Sequence, residues 1–168
     1  MVGSDTSSPD FGSDMTGTAP LKTWQCDRCP DLITDPDMAL VVWRREDQKL
    51  KGFMIVHKSA DGRDCDPGDQ AGYRESSELS TFLGQVGAAY LLSWLSMGPV
   101  RGVPDTNQVA DLDEFVDLFR RVQVPWYEQA RPHFHDEETQ HWLSDANEYY
   151  PYIPETLQRT AKRRLGGA

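Results

Sequence analysis

Basic residues are in short supply in this sequence: 17 Lys and Arg stand against 27 Asp and Glu, a formal net charge of -10. The deficit is even along the chain, with 13 acids and 8 bases over residues 1–70 and 14 and 9 over residues 71–168. Affinity for a phosphate backbone comes from cations that displace condensed counterions, so this balance opposes nonspecific nucleic-acid binding and leaves only local basic patches. A long apolar run is missing too. The most apolar stretch, Phe82 to Trp94, is shorter than the roughly twenty residues that cross a bilayer and is interrupted by Gly84, Gln85, Gly87 and Ser93, so no membrane span is expected. No Lys or Arg precedes Lys22, where Asp5, Asp10 and Asp14 stand instead, so the positive n-region of a secretory signal is lacking. Also absent are a Gly-rich phosphate loop, a Ser nucleophile elbow and a His-Glu-x-x-His pair, and with them the usual signatures of nucleotide binding and hydrolysis. Cysteines number only three. In a chain without an export signal that count predicts a reducing, cytoplasmic location and points to metal or redox chemistry rather than a disulfide framework.

What is present suffices for one ordinary domain, or for a small module beside a modest helical one. Residues 1–23 mix Gly, Ser, Thr, Asp and Pro with scattered apolar side chains, too few to offset chain entropy, and are expected to form a disordered tail. From Trp24 the composition changes. Ala39 to Arg45 and Gly52 to Lys58 are rich in Val, Ile, Phe and Trp and read as two strands, with Glu46 to Lys51 as the loop of a hairpin. Asp61 to Gly72, with four Asp, three Gly and a Pro, reads as a solvated linker; Asp61, Asp64, Asp66 and Asp69 match no EF-hand calcium spacing.

Everything further reads as helix. Leu79, Phe82, Leu83, Val86, Tyr90, Trp94 and Met97 recur at spacings of three and four, which predicts a helix from Ser77 to Met97 stopped by Gly98 and Pro99. Asp111 caps a second helix, with Leu112, Phe115, Val116, Phe119 and Val122 as its apolar stripe. A short helix from Trp126 to about Arg131, a helix from Glu137 to Tyr150 and a last one from Pro154, carrying Leu157, Ala161 and Leu165, complete the series. The fold class expected is α+β: a small zinc-stapled hairpin module over residues 24–66, a linker over 67–76, and a helical domain over 77–168 made of four or five short helices.

The residues that carry chemistry lie in the first of these. Cys26-Asp-Arg-Cys29 has the spacing that lets two thiolates face one ion from a tight turn. His57, at the end of the second strand, and Cys65 supply the other half, because a strand out and a strand back returns His57 towards the Cys26 turn. The candidate metal ligands are Cys26, Cys29, His57 and Cys65, in the pattern Cys-x2-Cys-x27-His-x7-Cys, holding one structural Zn2+. A segment of about 40 residues is too small for a hydrophobic core alone, and structural zinc contributes on the order of 10–16 kcal/mol in peptides of this kind. Over residues 24–66 only, the arrangement resembles the zinc ribbon and treble-clef class of small zinc modules, in which a Cys-x-x-Cys knuckle precedes a hairpin. The seven-residue interval between His57 and Cys65 is longer than that class commonly has. The competing readings are a thiol redox pair at Cys26 and Cys29, a free Cys65 and a purely structural His57.

Elsewhere His133, His135 and His141 are dense enough with Asp136, Glu137 and Glu138 to suggest a hydrolytic metal site, although His133 and His135, two apart, would point to different sides of a helix. A polar turn before a helix explains the same residues. Arg44, Arg45, Lys49, Lys51 and Lys58 gather on or beside the hairpin and are the residues a nucleic-acid-binding regulator would use. Arg159, Lys162, Arg163 and Arg164 form a basic C-terminal cluster that complements the last helix dipole. Trp24, Trp43, Trp126, Tyr127, Tyr149, Tyr150 and Tyr152 are candidate anchors for a protein partner. The expectation is a non-catalytic zinc-binding regulatory or adaptor protein acting through protein contacts, with a nucleic-acid-binding regulator and a hydrolase at His133, His135 and His141 as alternatives. Oxidation of the zinc thiolates is compatible with the first.

Overall fold

Alternating Val, Trp and Ile residues on either side of a polar turn form the hairpin read from the sequence, and the turn is tighter than expected. In this computed structural model, which describes residues 21–60, 62–102 and 106–163, strands β3 (Ala39–Glu46) and β4 (Lys49–His57) pair antiparallel from Ala39 with His57 to Glu46 with Lys49. Only Asp47 and Gln48 lie between them, both with positive φ, at 48° and 63°. That is the twist a two-residue hairpin turn requires. The register shifts between Val42 and Arg44, and Gly52 sits opposite this irregularity at φ 66° with the Arg44 side chain against its Cα.

A smaller antiparallel pair precedes the hairpin, β1 (Trp24–Gln25) with β2 (Leu32–Ile33), and frames the Cys26–Cys29 turn. A fifth strand, β5 (Glu75–Glu78), lies on the other side of β3 and gives a three-stranded sheet in the order β4-β3-β5. Residues 75–78 were expected to be the end of a linker and the start of a helix. The sequence Glu-Ser-Ser-Glu has no strand signature of its own; β3 offers it a free row of backbone groups, and Trp43 Nε1 and the Arg45 guanidinium bind the Glu75 carboxylate. Tertiary pairing overrides the weak local preference. The linker also contains a 3-10 turn at Asp69–Ala71.

The first helix is correspondingly shorter than predicted. A 3-10 turn, Leu79–Phe82, follows β5, and α1 runs Gly84–Leu95. A single turn, α2 (Gly98–Arg101), follows where a stop was expected. Helix α3 (Leu112–Gln123) starts as predicted: the Asp111 carboxylate accepts hydrogen bonds from the backbone N–H groups of Asp113 and Glu114 at 2.9 and 3.1 Å. Its buried face is Phe115, Leu118, Arg121 and Val122, while Leu112 is exposed. Trp126 adopts φ 71° and precedes rather than opens α4 (Tyr127–Ala130). Helix α5 (Glu137–Trp142) ends well short of Tyr150, and α6 (Pro154–Lys162) closes the described chain. Among the described residues there are thus six α-helices and five strands, an α+β fold. No described helix is long and apolar enough to cross a membrane. The tail expected to be disordered falls largely at residues 1–20, outside the described residues, as do Asp61 of the acidic loop, Arg164 and Leu165.

One buried cluster spans the sheet and the first helices. Trp24, Val41, Val42, Ile55, Val56 and the thiols Cys26 and Cys65 share it with Leu91 and Trp94 of α1 and with Phe115, Leu118 and Val122 of α3. Trp126, Tyr127, Ala130 and Leu157 make a second, smaller cluster between α4 and α6.

Candidate metal centre

Three local devices deliver the four predicted ligands. The β1–β2 pair holds Cys26 and Cys29 on one tight turn, His57 is the last residue of β4, and Cys65 comes back from the loop that follows. The Asp27 N–H donates to the Ile55 carbonyl at 2.9 Å, and the Asp27 carboxylate accepts the Ile55 N–H at 2.7 Å, so the cysteine turn is bolted to the strand that carries His57. As a result the ligand atoms of Cys26, Cys29, His57 and Cys65 all lie within 4.8 Å of one another. Cys26, His57 and Cys65 are buried and Cys29 is half-buried.

The cluster is compatible with one metal ion. Bonds of roughly 2.0–2.3 Å place neighbouring donors about 3.3–3.8 Å apart, and Cys29 Sγ is 3.4 Å from His57 Nδ1. The other imidazole nitrogen, Nε2, faces the Leu32 carbonyl at 3.4 Å. The Arg63 guanidinium lies against the same nitrogen at 3.3 Å, so a carbonyl and a cation share that edge of the ring. The buried thiols are shifted in opposite directions. Burial raises the Cys26 thiol, but hydrogen bonds from the Arg28, His57 and Cys29 backbones outweigh it and hold Cys26 below its ordinary value. Burial, together with the neighbouring Cys29 and Cys26 thiols, pushes Cys65 up to about 11. A thiol kept protonated in this way gives up its proton when it takes a cation as partner.

The residues that lock this centre to the helices were not foreseen. Arg121 of α3 is only 3% exposed and spends its guanidinium on four contacts: Asp27 Oδ2 at 2.6 Å, the Gln25 carbonyl at 2.9 Å, and both oxygens of Glu128 at 2.8 and 2.9 Å. Glu128 in turn accepts the Gln25 N–H at 2.8 Å, and the Trp24 indole donates to the Arg121 carbonyl at 3.1 Å. Burial opposes the Arg121 charge, but the Glu128 and Asp27 carboxylates outweigh it and hold its pKa above the ordinary value. A signal existed in the sequence: Arg121 falls three residues after Leu118, on the apolar side of an otherwise amphipathic helix, where a charge must find buried partners.

The other candidate residues are distributed differently. His133 bonds Asp136 at 3.1 Å beside a cavity of about 280 Å³ that neither His135 nor His141 lines. Among the described residues, the four ligands above are the one group of His, Cys, Asp and Glu whose donor atoms converge. Of the hairpin bases, Arg45 pairs with Glu75 at 2.6 Å, Lys58 with Glu78 at 2.6 Å, Lys51 with Glu46, and Lys49 donates to the Asn107 carbonyl. Arg44 lies over the Tyr73 ring. Trp24, Trp43, Trp126 and Tyr127 are core residues rather than partner anchors, whereas Tyr149 and Tyr150 are exposed. Tyr152 stacks under the Arg120 guanidinium at 3.6 Å.

No family model, curated protein or solved structure matches this chain. The cluster beside its hairpin is compatible with a metal-binding module on its own geometry, without support from a relative.

Proposed function

We propose that the ion is zinc, that its role is structural, and that the protein is a zinc-binding regulatory or adaptor protein that works through protein contacts. The observation that carries this reading is the convergence of three thiols and one imidazole from a knuckle and a hairpin within 4.8 Å. Soft sulfur donors with one nitrogen in a tetrahedral arrangement favour zinc. Four protein donors also complete the coordination shell, leaving no open position of the kind a catalytic zinc keeps for water or substrate. The knuckle before a hairpin supports the likeness to the zinc ribbon and treble-clef class, with residues 24–66 as the metal module. Dependence on reduced thiols supports a cytoplasmic location.

The internal pairing of Arg45, Lys49, Lys51 and Lys58 weighs against the nucleic-acid reading, because those charges are already engaged with Glu75, Glu46, Glu78 and the Asn107 carbonyl. Native mass spectrometry tests the proposal. The wild type is expected to carry one zinc, and Cys26→Ser and His57→Ala to lose it together with order in the hairpin. A metal-free wild type that keeps the hairpin ordered overturns the reading. Retention of a random duplex at low salt, lost as salt rises, would favour the nucleic-acid alternative instead.

A further inference from the structure

Two partners of opposite hydrogen-bonding character meet at one nitrogen of His57. The Leu32 carbonyl, an acceptor, lies 3.4 Å from Nε2, and Arg63 Nη1, a donor, lies 3.3 Å from the same atom. A neutral imidazole nitrogen either carries the ring proton or accepts one, so Leu32 and Arg63 select opposite tautomers. The other nitrogen, Nδ1, faces Cys29 Sγ at 3.4 Å. With the proton on Nε2, the Leu32 carbonyl receives it and Nδ1 has a free lone pair for an ion. With the proton on Nδ1, the Cys29 sulfur receives it and Nε2 accepts from Arg63. Each tautomer therefore finds a partner at both nitrogens, and the ring need not move between them.

Arg63 is held where it serves the second tautomer. Nη1 also reaches Asp31 Oδ2 at 3.0 Å, and the Arg63 N–H donates to the Ala60 carbonyl at 3.0 Å. Asp31 lies two residues after Cys29 and Arg63 two residues before Cys65, so this pair ties the loop that brings Cys65 to the knuckle that brings Cys29. Water reaches the same edge of the ring through a groove of about 220 Å³ lined by Leu32, Met38, His57, Lys58 and Arg63, among others.

We propose that His57 is the labile ligand of the centre and that Arg63 is a positioning residue that holds the imidazole in its detached form while Cys26, Cys29 and Cys65 keep their grip. This inference deepens the zinc reading and rests on it. When His57 lets go, the Nδ1 lone pair takes a proton from water and the Nε2 proton passes to water in the groove. The ring is neutral before and after, and no electron changes hands. Detachment exchanges the bond to Leu32 for the bond from Arg63, so Arg63 lowers the free energy of the detached form and speeds zinc release, whose first step is the loss of this ligand.

Transfer of zinc from the full, zinc-loaded chain to an excess of a colorimetric chelator tests the proposal. Arg63→Met keeps the aliphatic stem and removes the donors, and is expected to slow transfer about three- to tenfold, the worth of one hydrogen bond from a charged donor. Lys58→Met removes a cation that lines the same groove but pairs with Glu78 instead of the ring, and is expected to leave the rate within about twofold of the wild type. Two-bond proton–nitrogen correlation spectra of the zinc-loaded protein give a second readout, with the His57 proton expected on Nε2 in the wild type and in both variants. Transfer that is unchanged or faster in Arg63→Met, slowed equally by Lys58→Met, or accompanied by a His57 proton on Nδ1 overturns the role of Arg63 and leaves the zinc reading standing. A wild type that carries no zinc overturns the zinc reading, and this inference with it.

Discussion

The two buried clusters are held together by different physics. Around the candidate metal centre, large aliphatic and aromatic side chains from the sheet, α1 and α3 are closed off at one edge by the converging Cys26, Cys29, His57 and Cys65. Between α4 and α6 the cluster has four buried members among the described residues, and cations lie over rings around it: Arg120 over Tyr152 at 3.6 Å, Arg159 and Arg163 over Trp142 at 4.6 and 4.8 Å, and Lys162 over Trp126 at 5.3 Å. Such contacts contribute about 0.5–1 kcal/mol each at exposed sites. On the proposed zinc reading, the fold concentrates its stabilisation in one corner and completes the rest with many weak contacts. Arg121 is the joint between the two, since it binds Asp27 in the cysteine turn and Glu128 in α4.

Metal removal should break the comparison most sharply. If the centre holds the proposed zinc, whose binding contributes on the order of 10–16 kcal/mol in small zinc peptides, its removal is expected to abolish hydrogen-exchange protection in β1, β2 and the end of β4. The amides of α6 should lose less. Equal loss in both regions would mean that the clusters are one cooperative unit. Next in size is the joint. Arg121→Ala leaves Glu128 buried without its partner and is expected to cost about 3–5 kcal/mol in denaturant unfolding, whereas the double change Arg121→Met, Glu128→Leu should recover much of that. A loss below 1 kcal/mol would show that the two regions do not depend on this contact.

Gly87→Ala tests the packing of α1 on the metal-side cluster. A Cβ there would lie 2.1 Å from the Phe82 carbonyl carbon, against backbone that cannot swing aside. A destabilisation of about 1–3 kcal/mol is expected, confined to the larger cluster. The smallest effect concerns the sheet edge. The hydrogen bond from Arg45 holds the Glu75 carboxyl below the usual range, with burial opposing and Trp43 assisting. A group depressed in the folded state stabilises above its unfolded pKa and loses that contribution as pH falls through the folded value. Glu75 is a third exposed, so Glu75→Gln should cost less than about 1 kcal/mol near neutrality and flatten the acid limb of a stability–pH profile. An unchanged acid limb would assign that edge to backbone pairing alone.

The convergence of Cys26, Cys29, His57 and Cys65 was legible because cysteine and histidine are rare and their spacing relates directly to a knuckle and a hairpin. The start of α3 was legible because an Asx cap acts within three residues. The apolar stripe of α1 was read with the right period and the wrong extent: Val86 and Met97 belong to the outer surface, and periodicity alone does not say how wide a face the rest of the fold will cover. Strand β5 was not legible, and for Arg121 the sequence signalled a buried charge but not its partners. Their partners lie 30 or more residues away, beyond the reach of any local pattern, except for Glu128 at seven.

By itself, the sequence determined the chemistry of the centre: three thiols and an imidazole spaced to meet, in a segment too short to fold unaided. Tertiary structure alone decided that this segment is not left to stand by itself. Its cysteine turn is tied through Asp27 and Arg121 to a helix nearly a hundred residues on, because a buried guanidinium must be satisfied by whichever carboxylates and carbonyls the fold brings to it.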